Sequence, residues 1–159
     1  WVIVETGLGG KADSTNVTPK KLAILTRIGL DHQNILGDSI LKISAEKLGI
    51  ARKGVPLLVS LQTKVVKEWL EKQTHLQEIP THWIEGKNYQ LIDQGGQRLA
   101  ACREAKISDV SRELALTALE ILLPAKSPNQ RKERLELAAK FPLIGRKSRH
   151  FNVKLQDKR

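Results

Sequence analysis

The 159 residues include no methionine, one cysteine and few aromatics: three Trp, one Tyr and two Phe. No stretch reaches the roughly 18 uncharged apolar residues of a bilayer-crossing helix, which excludes a helical membrane span. A single thiol, Cys102, excludes an intramolecular disulfide framework and a multi-cysteine zinc site, and it suits a reducing, cytoplasmic setting. The phosphate-cradling pattern G-x-x-x-x-G-K-[ST] does not occur, nor does a G-x-S-x-G nucleophile elbow. His75, His82 and His150 show no metal-ligand spacing. Without a methionine, and opening on the apolar run Trp1-Val2-Ile3-Val4, the chain is expected to be a piece of something longer that starts inside a strand.

Charge is present, but unevenly. The formal net charge is +10, and residues 126 to 159 supply +8 of it, with 11 Lys and Arg against 3 Asp and Glu. The body is nearly balanced, unlike a uniformly basic nucleic-acid face. Only Phe141 and Phe151 interleave the basic tail, which weakens a base-stacking reading.

The pattern alternates strands and helices. Trp1–Glu5, Lys21–Ile28 and Val55–Ser60 are apolar runs bounded by glycine or polar loops and read as buried strands. A helix is expected from Asp38 or Ser39, either of which can cap it, to about Arg52. A second spans about 63–74, with Val65, Val66, Trp69 and Leu70 on one side. Short strands at 81–85, 89–93 and 99–102 surround a hairpin turn at Gln94-Gly95-Gly96-Gln97. Helices at about 108–123, stopped by Pro124, and 130–141 complete the series. The expected fold class is therefore α/β: a three-layer αβα arrangement with a mostly parallel sheet and a local antiparallel addition.

In such sheets ligands bind beyond the carboxyl ends of the strands. Glu5 closes the first strand and Asp31-His32 follows the second, so a carboxylate and an imidazole can converge on one crevice as ligands of a divalent cation. The competing reading makes Glu5 a strand end and His32 a surface loop residue. Gly7-Leu8-Gly9 begins a G-x-G with Ala12 in the third position, but loop chemistry follows it, so a dinucleotide site is rejected and the glycines are read as points of close backbone approach. Ile40, Ile43, Lys47 and Ile50 share one helical stripe. A lysine among apolar residues is driven toward its neutral amine, which can act as a nucleophile or take up carbon dioxide as a carbamate. Its alternative is to snorkel to solvent.

The run Val4-Glu5-Thr6-Gly7-Leu8-Gly9-Gly10-Lys11-Ala12-Asp13-Ser14-Thr15-Asn16 resembles the V-E-x-G-L-G-G-R-x-D-[AS]-T-N segment of folylpolyglutamate and dihydrofolate synthases, the folate branch of the Mur ligase superfamily. Ile28-Gly29-Leu30-Asp31-His32, Leu36-Gly37-Asp38-Ser39-Ile40, Ile43-Ser44-Ala45-Glu46-Lys47-Leu48-Gly49-Ile50 and Lys53-Gly54-Val55-Pro56 are similar to the family's next block, in order. The resemblance implies the central ATPase domain of an ATP-dependent carboxylate–amine ligase. Its cofactors would be ATP and Mg2+, and its partners L-glutamate and a folate or dihydropteroate, in a monomeric, cytoplasmic parent.

Carried over by position, the metal ligands would be Glu5, His32 and Lys47, the last as a carbamate with a catalytic role. Asp13 and Asn16 would contribute to cofactor binding. The domain would occupy residues 1–142, and 143–159 would be a basic linker toward a C-terminal domain. The departures are a Lys11 where the family has arginine, which loses bidentate geometry, and Val110, Ser111 and Leu114 where it has histidine, glutamine and asparagine. The family's G-T-N-G-K-G-S loop does not occur in these residues, so the isolated chain is expected not to catalyse. Two competing readings are a degenerate, non-catalytic module of the same fold and, ranked last, a nucleic-acid-binding protein that uses its basic tail.

Overall fold

The computed structural model describes residues 2–85, 90–92, 98–101 and 107–140. Two β–α–β units come first. Strand β1 (Ala23–Leu25) leads through the short helix α1 (Gln33–Leu36) and helix α2 (Ile40–Leu48) to β2 (Leu57–Val59). Helix α3 (Lys64–Leu76) then leads to β3 (Thr81–Glu85), followed by β4 (Gln90–Ile92), β5 (Arg98–Ala101), α4 (Ile107–Leu122) and α5 (Pro128–Lys140). The sheet order is β1-β2-β3-β4-β5. β1, β2 and β3 are parallel, and β4 and β5 add antiparallel. This is the expected mixture, because helical crossovers allow parallel neighbours and a short connection forces antiparallel ones. The expected turn at 94–97 lies outside the described residues, as do Cys102 and everything from 141 onward.

The central strand explains the layering. Leu57, Leu58 and Val59 are all fully buried, and side chains alternate across a strand. Leu57 and Val59 join Ile43, Leu48, Val66 and Leu70 of α2 and α3 in one core. Leu58 joins Ile84 and the α4 residues Leu114 and Ala118 in a second core on the opposite face. The sheet is thus covered on both sides, giving the three-layer α/β fold.

Local chemistry sets the boundaries, with some departures from expectation. Ser39 caps α2 by accepting from the Lys42 N–H at 3.3 Å. That helix stops at Leu48 instead of running to Arg52, because Gly49 to Ala51 form tighter turn bonds back to residues 45–48. On α3 the buried positions are Val66, Leu70 and Thr74; Val65, expected on the apolar side, is exposed. β1 is shorter than the apolar run 21–28. Beyond Leu25 its ladder passes to a side chain: Gln62 accepts from the Ile28 N–H and donates to the Thr26 carbonyl, both at 3.0 Å.

The largest correction concerns the start of the chain. Residues 2–5 form no strand, and Val2, Ile3 and Val4 are exposed. Apolar composition alone does not make a strand: its backbone needs a paired neighbour, and β1 is bonded only to β2.

Candidate functional site

The segment from Thr6 to Lys20 has little regular structure, yet it is fixed at nearly every step. Asp13 organises its first half. Its carboxylate accepts from the backbone N–H groups of Gly7 (2.8 Å), Leu8 (3.2 Å) and Thr15 (2.9 Å) and from the Thr15 hydroxyl. The Thr15 hydroxyl bond is the largest cause of a pKa lowered to about 2, followed by the Thr15, Leu8 and Gly7 amides. Asp13 also stands at the N-cap of a 3-10 turn, Ser14–Val17.

Two glycines let this loop reach α2. Gly9 has φ +65°, and Gly10 lies so close to the helix end that a Cβ there would fall 2.8 Å from the Lys47 carbonyl oxygen and 2.9 Å from that of Glu46. The close approach expected of the glycines is therefore made to a helix. It is sealed by the Lys11 N–H donating to the Glu46 carbonyl at 2.9 Å.

Asn16 completes the seam. Buried, it donates to the carbonyls of Lys11 (3.1 Å) and Gly49 (3.0 Å) and accepts from Lys20 Nζ at 2.6 Å. The side-chain oxygens of Asp13 and the amide of Asn16, both expected to bind cofactor, are engaged within the protein in this structure.

The other site residues lie as follows. Glu5 is exposed, immediately before the ordered loop. His32 is half exposed and has φ +52°, a left-handed conformation uncommon outside glycine. Its N–H donates to Asp31 Oδ1 at 2.8 Å, and its Nε2 stands 3.6 Å from Asp31 Oδ2. Lys47 lies in the last turn of α2 and is half-buried, while Ile43, Ser44 and Leu48 of the same helix are buried. Among the described residues, no three His, Cys, Asp or Glu side chains come together as a metal site. The donor chemistry of Glu5 nevertheless fits magnesium, which takes few protein carboxylates and keeps most of its shell for water and phosphate oxygens.

One feature escaped the sequence reading. The loop 11–20 and the Arg52–Val55 turn enclose an open concavity of about 830 Å³ that Lys11, Lys20 and Arg52 line. Lys20 also donates to the Ile50 carbonyl (2.9 Å), and Arg52 to those of Gly49 (2.8 Å), Ala51 (2.9 Å) and Asn16 (3.4 Å). Lys20 and Arg52 thus hold the carbonyls of the turn 49–51 that follows α2, a position where the helix dipole favours cations. No spacing in the sequence announces them, since they meet only across some thirty residues of chain.

No protein-family model matches the chain. It is 51% identical over 61 residues to the dihydrofolate synthase/folylpolyglutamate synthase of Bacillus subtilis, covering 38% of this chain and 14% of that protein. It is 28% identical over 157 residues to the enzyme of the same name from Buchnera aphidicola of Acyrthosiphon pisum, covering 90% of this chain and 38% of that one. The fold is similar to that of Escherichia coli FolC in complex with DHPP and ADP, with a TM-score of 0.53 at 23% identity over 80% of this chain and 32% of that one. It is also similar to a bifunctional folylpolyglutamate synthase/dihydrofolate synthase with Mn, AMPPNP and L-glutamate bound, with a TM-score of 0.54 at 21% identity over 80% of this chain and 32% of that one. The chain thus corresponds to well under half the length of these relatives.

Proposed function

The chain belongs to the folylpolyglutamate/dihydrofolate synthase family, and on that premise we propose that it is part of an ATP-dependent ligase joining L-glutamate to a folate or pteroate carboxylate. The observation that carries this reading is the dense identity to the Bacillus enzyme. In the proposed reaction the substrate carboxylate attacks the γ-phosphorus of ATP, giving an acyl phosphate and ADP. The glutamate amine then attacks the acyl carbon; phosphate leaves, and the amine gives up its proton.

Magnesium would supply neutralisation of phosphate charge. Glu5, His32 and Lys47 are the residues we assign to holding it, Lys47 after its amine has become a carbamate and so exchanged a positive charge for an anionic oxygen. The contribution of the loop 6–20 is rigidity. Asp13 holds the amides of Gly7 and Leu8, just beyond Glu5 and Thr6, and the Gly10–Lys11 seam ties the same loop to the turn that carries Lys47. Positioning of this kind is how a site limits the reorganisation it would otherwise need during reaction.

A second reading, a non-catalytic module of the same fold, is favoured by one observation. Leu114 is buried and Val110 packs against the second core, where the family pattern carries polar side chains.

A chimera separates the two. The stretch of the Bacillus enzyme that corresponds to this chain is replaced by the whole chain, Val110 and Leu114 included, and ATP-dependent incorporation of labelled glutamate is followed. The ligase reading expects retained incorporation that Glu5→Gln or Lys47→Ala abolishes. A chimera with native circular dichroism but no turnover would favour the non-catalytic module.

A further inference from the structure

The concavity between the loop 11–20 and the Arg52–Val55 turn is lined by three cations, Lys11, Lys20 and Arg52, and by one carboxylate, Asp13. Asp13 offsets only one of the three positive charges, and four donors of its own loop hold its oxygens. Among the described residues, no carboxylate stands within ion-pair distance of these three cations, and the oxygens that Lys20 and Arg52 reach are carbonyls and an amide. Donors are left over. Lys20 commits two of its three N–H groups, Arg52 three of its five, and the Lys11 ammonium none. Burial, and then the repulsion of Arg52, hold the Lys20 pKa below its usual value, as expected where positive charge is in excess.

We propose that this concavity binds the phosphate group of a small phosphorylated compound, with Lys11, Lys20 and Arg52 as its donors. Two point-charge ammoniums and a guanidinium edge suit a tetrahedral, multiply charged oxyanion better than a planar carboxylate. The volume of about 830 Å³ exceeds what one phosphate fills and lies in the range of small-molecule pockets, which leaves room for an organic remainder. Of the residues carried over for the ligase, Glu5, His32 and Lys47 do not line it; Asp13 and Asn16 do, with their polar atoms held within the loop and by the turn after α2. An occupant would press on Asn16 and on the end of α2, which the same cations already hold.

The test is an amide-resolved NMR titration of the 159-residue chain with inorganic phosphate and, separately, with AMP, at fixed ionic strength and without divalent cations. Saturable shifts confined to residues 11–20 and 52–55 are expected. Tighter binding of AMP would identify a phosphomonoester as the occupant, and equal affinity a free phosphate. Lys11→Glu should weaken phosphate binding roughly tenfold or more, the scale of one lost charge-assisted bond, and Lys11→Arg should retain it. Neither change touches a bond that the fold uses, because the Lys11 ammonium makes none. Shifts reproduced by chloride, shifts centred on residues 141–159, equal binding of glutamate, or an unchanged affinity in Lys11→Glu would each overturn the proposal.

Discussion

The side-chain nitrogen of Asn16 lies 3.0 Å from the carbonyl oxygen of Gly49, 33 residues further along the chain. One buried amide therefore closes the end of α2 and ties the loop before β1 to the turn before β2. Replacing it with alanine strands the Lys11 carbonyl and one Lys20 donor while leaving Gly49 its bond from Arg52. A buried polar group left without a partner costs about 1–3 kcal/mol. Asn16→Ala should lose that much in urea unfolding. Asn16→Asp should fare no better, since it removes both donated bonds; full stability in either variant would mean the seam carries no energy.

Gly10 and Gly29 form a matched pair of probes. A Cβ at Gly10 would meet Ile50 Cγ2 at 2.6 Å and the Lys47 carbonyl oxygen at 2.8 Å, whereas at Gly29 nothing lies within 4 Å. Overpacking of this sort costs typically 1–3 kcal/mol. Gly10→Ala is expected to lower the melting temperature clearly, and Gly29→Ala to leave it within the small scatter of surface changes. Equal behaviour of the two would contradict the close approach.

Acid should act through Asp13. Its pKa is about 2 in the folded chain against 3.8 as its ordinary value, so the carboxylate stabilises the fold fully above about pH 4. That contribution is lost as pH falls through the folded value. Asp38, held down by Lys42, adds to the same acid slope, so the comparison of wild type with Asp13→Asn isolates the Asp13 part. Urea midpoints measured between pH 2 and 6 should converge for the two proteins at the acid end, with the gap opening up to about pH 4 and constant above it. Parallel curves would remove Asp13 from the account.

The two cores can be weighed separately. Leu57→Ala opens the α2–α3 side and Leu58→Ala the α4 side, and both residues are fully buried. Each should cost about 2–5 kcal/mol. Ile24→Ala in β1, at 39% exposure, should cost distinctly less. A mild Leu58→Ala would show that α4 does not cover its face of the sheet.

How much of this was legible in the sequence follows from the physics involved. α2, α3, α4 and the strands at 55–60 and 81–102 announced themselves through period and punctuation, which are local properties. Trp1–Glu5 misled because strand formation depends on a neighbour and not on composition. Glu5 and His32 stood out by their places at expected strand ends and Lys47 by its apolar stripe, whereas Asp13 and Asn16 stood out only through motif resemblance. That Asp13 and Asn16 spend their polar atoms on Gly7, Leu8, Lys11 and Gly49 could not be read, because hydrogen-bond partners 5 to 33 residues apart leave no periodic trace. The Lys11–Lys20–Arg52 grouping was hidden for the same reason.

The amide of Lys11, bonded to the Glu46 carbonyl, has a use of its own. It sits in a loop, yet its hydrogen can exchange with solvent only when the loop parts from the last turn of α2. Its exchange rate is thus a clock for the opening of that joint, readable without any ligand or turnover. If Lys11 exchanges as slowly as the amides of the buried strand β2, the loop and helix open only with the whole domain. If it exchanges much faster, the joint is a hinge that opens on its own, and the residues on its two sides can part while the cores stay closed.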